Sequence, residues 1–512
     1  MQKIDKIAKK LALKNVFHFG DYIAKVNFPE NKFLKKKGEK QGKLILLTSI
    51  NPTPFGEGKT TSAICIADDL AKDRKKVCLA LREPSLGPVF GVKGGAVGSG
   101  KSMIVPEEEI NLHFTGDFHA ITSANNLLCA IIDNHIYQGN ALKIKEVCFH
   151  RTLDLNDRAL REVKLASREE SFSITPACEI MSIMTLAKDE NDLKTRLGEI
   201  LVGFDEENKP IFAKDLNAQN AMFLLLKNAL KPNLVQSKNK TPALVHCGPF
   251  ANISLGTSSV ISLKTALSSA DYVVTEAGFG FDCGGEKFLD LLCQENSLNP
   301  NLIIVVATIK ALIHHGEGNR DDEKLEKGFA NLLHHYSTIE KVFGKKALVC
   351  LKKFGSDSEE LLTQFALLCN KHNLDFIEIE PYTQSGQSVA KTIEKLCQKQ
   401  TPLKFAYSFD QPLKQKLENI ATKVYGGKKV VLTEKAKQNL KKIEKYSKNL
   451  PVIIAKTQNS LSDNPKALGV PKDFTLTITN IELKNGAGFV LATAGNMLLM
   501  PGLAKHNNYE KM

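Results

Sequence analysis

The sequence predicts an α/β fold, with a largely parallel sheet flanked by helices and two smaller α/β domains after it. Three observations carry this expectation. Short apolar runs rich in β-branched residues lack the alternation of a half-exposed strand, they end in Gly-rich or polar turns, and segments of helical period lie between them. In order, the runs are Leu44 to Ile50, Val77 to Leu81, Ala243 to Cys247, Tyr272 to Thr275, Leu302 to Ala307 and Ala347 to Leu351. Thr61 to Lys72 and Gly328 to Phe343 have the helical spacing, and strands alternating with helices give a parallel sheet. At 512 residues the chain exceeds one ordinary hydrophobic core. The pattern breaks around Lys399 to Leu403 and Leu450 to Pro451, and the expected domains are residues 1–345, 346–425 and 426–512. Pro501 to Met512 is polar after Leu503 and reads as a loosely held tail.

Composition narrows the classes. The chain is 43% hydrophobic and 24% charged, as globular proteins are, and no apolar run approaches the roughly 18 residues of a membrane helix. The start, MQKIDKIAKKLALKN, alternates apolar and basic residues as a surface helix does and lacks the apolar centre of a secretory signal. The eleven cysteines are scattered singly without a CxxC pair, which predicts buried reduced thiols and a cytoplasmic protein. The net charge of +13 is spread along the chain without a nucleic-acid-binding motif. Its densest cluster, Lys35-Lys36-Lys37 through Lys43, reads as a solvated face. No nucleic-acid or membrane partner is expected. The positive balance favours small polyanions.

The first strong strand runs into Asn51-Pro52-Thr53-Pro54-Phe55-Gly56-Glu57-Gly58-Lys59-Thr60-Thr61, and a helical segment follows. This is the context of a phosphate-binding loop and predicts a P-loop NTPase-like core. Glycines let backbone N–H groups turn toward phosphate oxygens, the helix N-terminus adds partial positive charge, and Lys59 neutralises the outer phosphates. Residues 53–61 are therefore the candidate ATP-binding segment, with Thr60 placed to ligate Mg²⁺. Thr53 stands where the general motif has its first glycine. A phosphate site alone does not choose between switches, kinases and ligases.

More specific strings follow in order: Leu81 to Ala96 (LREPSLGPVFGVKGGA), Asn111 to Ile121 (NLHFTGDFHAI), Ile132 to Asn140 (IDNHIYQGN) and Arg151 to Arg161 (RTLDLNDRALR). Later come His246 to Ile253 (HCGPFANI), Asp271 to Phe288 (DYVVTEAGFGFDCGGEKF), Ala455 to Leu468 (AKTQNSLSDNPKAL), Gly486 to Phe489 and Met500 to Leu503 (MPGL). After TPFGEGKTT, this series resembles the formate-tetrahydrofolate ligase family over nearly the whole chain, most densely between residues 43 and 161.

The resemblance implies ATP-dependent activation of formate as formyl phosphate and transfer of the formyl group to tetrahydrofolate. Formate resists nucleophiles until it carries a phosphoryl group, and that step is catalysed mainly by positioning and charge. By resemblance, Lys59, Thr60 and Mg²⁺ hold the nucleotide, and Arg82 grips the transferred phosphoryl or the formyl phosphate. A guanidinium suits that task because it offers planar, paired hydrogen bonds; an ion pair with Glu83 is the alternative. Asp117, with His113 and His119 nearby, is the candidate for the base or for binding the acceptor amine, although Gly116 argues against a regular helix joining His113 to Asp117. His314 and His315 read as structural. Phe354 matches a phenylalanine of the folate pocket, and a core position is its alternative.

The chain departs from the family at the folate side. It has no tryptophan, whereas the family stacks the pterin between a phenylalanine and a tryptophan. The corresponding region is Glu380 to Gln387, in which Tyr382 could substitute. Leu255 and Lys352 stand where the family commonly has His and Asn. The family further implies a homotetramer and a response to K⁺ or NH₄⁺. Two other readings stay in view. A paralogue with a different acceptor, or without turnover, fits the altered folate loop. An ATP-dependent switch or assembly factor would not need the NLHFTGDFHAI or AKTQNSLSDNP strings.

Overall fold

A computed structural model describes residues 1–27, 41–53, 56–93, 95–165, 168–383 and 388–511. The Lys35 to Lys37 cluster, Pro54, Phe55 and residues 384–387 of the altered loop lie outside the described residues.

The predicted runs assemble into one 12-stranded sheet. Its main path uses β1 (Val16–Phe19), β2 (Ile23–Val26), β3 (Lys43–Ser49), β4 (Val77–Leu81), β5 (Asn233–Ser237), β6 (Pro242–Val245), β7 (Tyr272–Glu276), β8 (Leu302–Ala307), β9 (Ala347–Lys352) and β10 (Phe376–Ile379). The order is β1-β2-β5-β6-β4-β7-β3-β8-β9-β10. From β6 to β10 every neighbouring pair is parallel, while β1, β2 and β5 extend the sheet in antiparallel fashion up to β6. All six predicted strands fall in the parallel part.

The absence of alternation in those runs has a direct cause. Leu44 and Leu46 of β3 enter one buried cluster, and Ile45 and Leu47 enter the other. Both faces of the sheet are covered, so successive residues such as Leu44 to Leu47 are apolar without alternation. Helix α1 (Lys59–Lys72) sends Ala63, Ile64, Ile66 and Leu70 to the second cluster. On the opposite face, α2 (Asp117–Tyr137), α3 (Ile309–His315) and α4 (Asp321–Lys341) supply Phe118, Leu128, Leu312, Phe329 and Leu332. Each such side chain contributes about 2 kcal/mol by leaving water.

A second, four-stranded mixed sheet is formed by β11 (Lys429–Leu432), β12 (Val452–Ala455), β13 (Thr475–Lys484) and β14 (Phe489–Ala494). β9 pairs along its length with β8, so the expected boundary at residue 345 falls between two adjacent strands of the large sheet. The C-terminal stretch is not a loose tail. Arg161 Nε donates to the Met500 carbonyl at 2.9 Å, Arg158 donates to Leu503, and the Asn508 N–H donates to the Gly91 carbonyl at 2.7 Å. Arginine and backbone partners from elsewhere in the chain override its polar composition. At the other end, Ile4–Lys10 is the expected surface helix, with Ile4, Ile7 and Ala8 turned inward.

The RTLDLNDRALR segment is fastened to α2 by ions. Arg151 and Arg168 both bond Asp133 (2.7 and 2.8 Å) and Glu170 (3.1 and 2.7 Å), and His150 Nδ1 meets Glu170 at 2.7 Å. Burial works against the Glu170 charge, but His150 and Arg168 outweigh it and bring the carboxyl down to about 2. A carboxyl lowered on folding stabilises above its ordinary range and ceases to do so as pH falls toward its folded value. Glu170→Gln is expected to lose about 3 kcal/mol at pH 7, with the gap to wild type narrowing as pH falls from the ordinary carboxylate range toward 2. Urea unfolding across that range measures it.

Candidate active site

Parallel strands deliver their following residues to one edge of the sheet, and this edge gathers the polar groups. β3 ends in Ser49 and opens into the loop before α1. β4 is followed by Arg82, β7 ends in Glu276, β8 is followed by Thr308, and β9 ends in Lys352.

The loop is held from beneath by its first residue. Asn51 is fully buried. Its side-chain amide donates to both Asp282 oxygens at 3.1 and 3.2 Å and to the Gln458 carbonyl at 3.2 Å. Its side-chain oxygen accepts from Asn331 at 3.0 Å and meets His335 Nε2 at 3.1 Å, and its backbone carbonyl meets His315 Nε2 at 2.8 Å. His315 Nδ1 accepts from the Gly469 N–H at 3.3 Å. This assigns the proton to Nε2 and agrees with burial having lowered the ring to about 4. His315 is structural, as expected. Behind Asn51, Lys456 Nζ donates to Asp282 at 2.6 Å and lies 4.9 Å from the Tyr425 ring centre. Burial alone would raise the Asp282 carboxyl, but the Lys456 ammonium holds it below the ordinary carboxylate range.

Above this base, Thr53 N–H donates to Glu57 Oε1 at 2.8 Å and Thr308 Oγ1 donates to Glu57 Oε2 at 3.3 Å. The Glu57 carboxylate thus clasps the loop from inside. Gly56 is exposed, at φ +75°. Gly58 caps α1 at φ +66°, a left-handed position that favours glycine. Lys59 Nζ turns inward to Ser49 Oγ at 2.9 Å, and burial lowers its ammonium to about 8. Thr60 Oγ1 donates to Glu276 Oε2 at 2.8 Å, and Thr61 Oγ1 lies 3.3 Å from Ser99 Oγ.

Arg82 pairs with Glu276, not with Glu83. Its Nε and Nη2 each reach Glu276 Oε1 at 3.4 Å, and Nη1 donates to the Pro249 carbonyl at 3.3 Å. Gly278 makes room for it, since a Cβ there would lie 2.8 Å from Arg82 Nη1. The turn after Arg82 is fixed by Asp154, which accepts from Ser85 Oγ at 2.6 Å and from the Leu86 N–H at 2.9 Å. Arg82, Glu83, Lys93, Phe250 and Glu276 line the cleft that results. Burial, with Asp117 nearby, pushes the Glu83 carboxyl well up.

Asp117 is buried at the first turn of α2. Lys25 Nζ reaches both its oxygens at 2.7 and 2.8 Å, and Asn233 Nδ2 donates at 2.8 Å. His113 is exposed and separated from Asp117 by Phe114 (φ +47°) and Gly116 (φ +85°), so no helix joins them. Exposed His119 meets Ser123 at 3.4 Å.

Phe354 is half-buried and does not belong to the core. Its ring centre lies 6.2 Å from that of Tyr382, at 46°. Lys352 Nζ lies 4.5 Å from the first ring centre and 5.4 Å from the second. Sequence reasoning did not single out Lys25, Glu276 or Asp282 for the site, and noted Lys352 only as a departure. Glu276 and Asp282 stand inside the quoted TEAGFGFD string, where a carboxylate at a parallel strand's end was the available signal. Lys25 gave none, because a lysine in a short N-terminal strand reads as a surface residue.

Cations and hydroxyls converging on a glycine-turned helix start at the carboxyl edge of a parallel sheet mark an α/β enzyme that works on anionic substrates. The family model for formate--tetrahydrofolate ligase matches residues 1–512. A formate--tetrahydrofolate ligase of Campylobacter concisus (strain 13826) is 44% identical over 525 residues, covering 99% of this chain and 94% of the relative. The chain belongs to the formate–tetrahydrofolate ligase family, and it is an ATP-dependent ligase joining formate to tetrahydrofolate.

The Lys456–Asp282 pair is fully buried on both sides, so removing one partner strands the other charge. Lys456→Met is expected to lose about 3 kcal/mol of stability, and Lys456→Met with Asp282→Asn to lose less than the single change. Chemical denaturation of the two variants beside wild type reads the difference.

Proposed function

We propose that this chain makes the ligation through formyl phosphate at the loop–Arg82 cleft. A formate oxygen attacks the terminal phosphorus of ATP and ADP leaves. The acceptor nitrogen of tetrahydrofolate then attacks the formyl carbon, phosphate leaves with the former formate oxygen, and the nitrogen gives up a proton. The observation that carries this reading is the shared Glu276 carboxylate, which accepts from Thr60 at the α1 start and from Arg82 after β4, with the Lys59 charge near enough to act on it. Two cations, Lys59 at the start of α1 and Arg82 after β4, then face one anion site, as a phosphoryl group in transfer requires.

In this reading Lys59 neutralises the outer phosphates and Arg82 leaves Glu276 to grip the transferred group. The N–H groups at Gly58 and beyond face the inner phosphates. The Thr60 hydroxyl and the Glu276 carboxylate supply paired hard oxygens that suit Mg²⁺. The ion's part is to neutralise charge on the phosphate oxygens. Asp117 acts with Lys25 as one unit: Lys25 and Asn233 fix the orientation of the carboxylate, which lies near Glu83. Phe354 and Tyr382 form the platform for the pterin ring. A homotetramer, a monovalent cation and a cytoplasmic setting belong to the same reading.

Incubating the protein with MgATP, ¹⁸O-formate and tetrahydrofolate tests the route. One ¹⁸O per phosphate released is expected; unlabelled phosphate would overturn formyl phosphate. Lys59→Ala is expected to lower kcat/KM for ATP about 10²- to 10³-fold. Because burial places the Lys59 ammonium at about 8 in the free protein, kcat/KM for ATP is expected to fall as pH rises through that value. The limb should disappear in Lys59→Arg, whose charge persists.

A further inference from the structure

Lys352 ends β9 and is buried, with 3% of its surface exposed. Among the described residues it forms no ion pair. Its ammonium rests in the wedge between the Phe354 and Tyr382 rings. On its other side it touches the loop, because a Cβ added at Gly58 would collide with Lys352 Nζ. One cation therefore faces two different surfaces. The rings offer the negative faces of their π systems. Gly58 begins α1, where the helix adds partial positive charge and Lys59 adds a full one. A buried ammonium placed there is unfavourable until an anion joins it. Burial has lowered the Lys352 ammonium, opposed by the more distant Glu57 charge.

The two aromatic rings are too close to admit a third flat ring between them as they stand. Their centres are 6.2 Å apart, and a ring stacked on both sides needs about 7 Å. A heterocycle that stacks on Phe354 competes with the ammonium that now lies against that ring. Lys310 also reaches Phe354, at 5.5 Å, so that ring already meets a second cation. The other neighbour of Lys352 is Gly58, against which the ammonium already packs.

We propose that Lys352 is a second phosphate-binding cation whose availability is set by the acceptor: a planar ring stacking on Phe354 releases its ammonium from the two rings toward the phosphates held at Gly58 and Lys59. This rests on the placement of nucleotide and pterin under the proposed function. Lys352 thus makes the phosphate site most cationic when the acceptor is bound, so ATP and tetrahydrofolate bind with mutual reinforcement.

Calorimetric titration of the full chain with MgATP, in the absence of formate and with or without tetrahydrofolate, tests this. Wild type is expected to bind MgATP at least about five-fold tighter when tetrahydrofolate is present. Lys352→Met should abolish that reinforcement, and Lys352→Arg should restore it. Tyr382 is 48% exposed, so Tyr382→Leu keeps the fold while loosening the wedge. It should tighten MgATP binding in the absence of tetrahydrofolate. Equal reinforcement in wild type and Lys352→Met, no reinforcement in wild type, or unchanged MgATP affinity in Tyr382→Leu would each overturn the proposal. If ligase turnover stays intact in such a case, the proposed function stands and only this coupling falls. Failure of wild type to bind MgATP at all would overturn both.

Discussion

Everything at the carboxyl edge depends on where the loop after β3 begins, and that is decided by a buried polar knot. Asn51 spends its side chain and its backbone carbonyl on Asp282, Gln458, Asn331, His335 and His315. Asn51 is a short side chain with a donor and an acceptor end, and each end finds partners from a different part of the chain. Leaving such groups unpaired in the interior would cost more than the net gain of any single bond. The knot is therefore satisfied as a whole or not at all, and the loop inherits one position. Lys456 supplies the counter-charge that holds Asp282 as an anion in the interior.

From that anchor the site follows by topology. Parallel strands end at the same edge, so Ser49, Arg82, Glu276, Thr308 and Lys352 meet although they are far apart in sequence. Glu276 takes both Thr60 and Arg82, and Glu57 takes both Thr53 and Thr308. Each carboxylate bridges the loop to a neighbouring strand. The groups that would meet substrate are thus oriented by carboxylates that are themselves held between elements, an arrangement that fixes direction as well as distance.

Much of the architecture was legible, for a physical reason. A strand covered on both faces is mostly apolar without alternation, and the six runs of that kind fall in the parallel part of the sheet. The strands that escaped notice break the rule. β1 is an exposed edge, β2 carries buried Lys25, and β5 buries Asn233, Gln236 and Ser237, whose polarity hides the strand. The site was legible where a local string defines it, as at Gly56 to Thr61. It was not legible where partners come from remote segments: the tie of Asp117 to Lys25 spans 92 positions, and that of Arg82 to Glu276 spans 194. Local pattern carries no information about such pairs. The C-terminal stretch misled for a related reason, because its anchors, Arg158, Arg161 and Gly91, are also distant in sequence.

The knot beneath the loop also orders events during synthesis. Residues 43–72 hold a strand, a loop and a helix that could form early, yet Lys456 lies some four hundred positions later. Until that lysine leaves the ribosome, Asp282 is an unpaired carboxylate and Asn51 lacks its floor, so the nascent chain carries an anion-binding string without a finished seat for it. The loop therefore gains its final seat late in translation, and a chain cut short before Ala455 would be an unfinished protein rather than a slow enzyme.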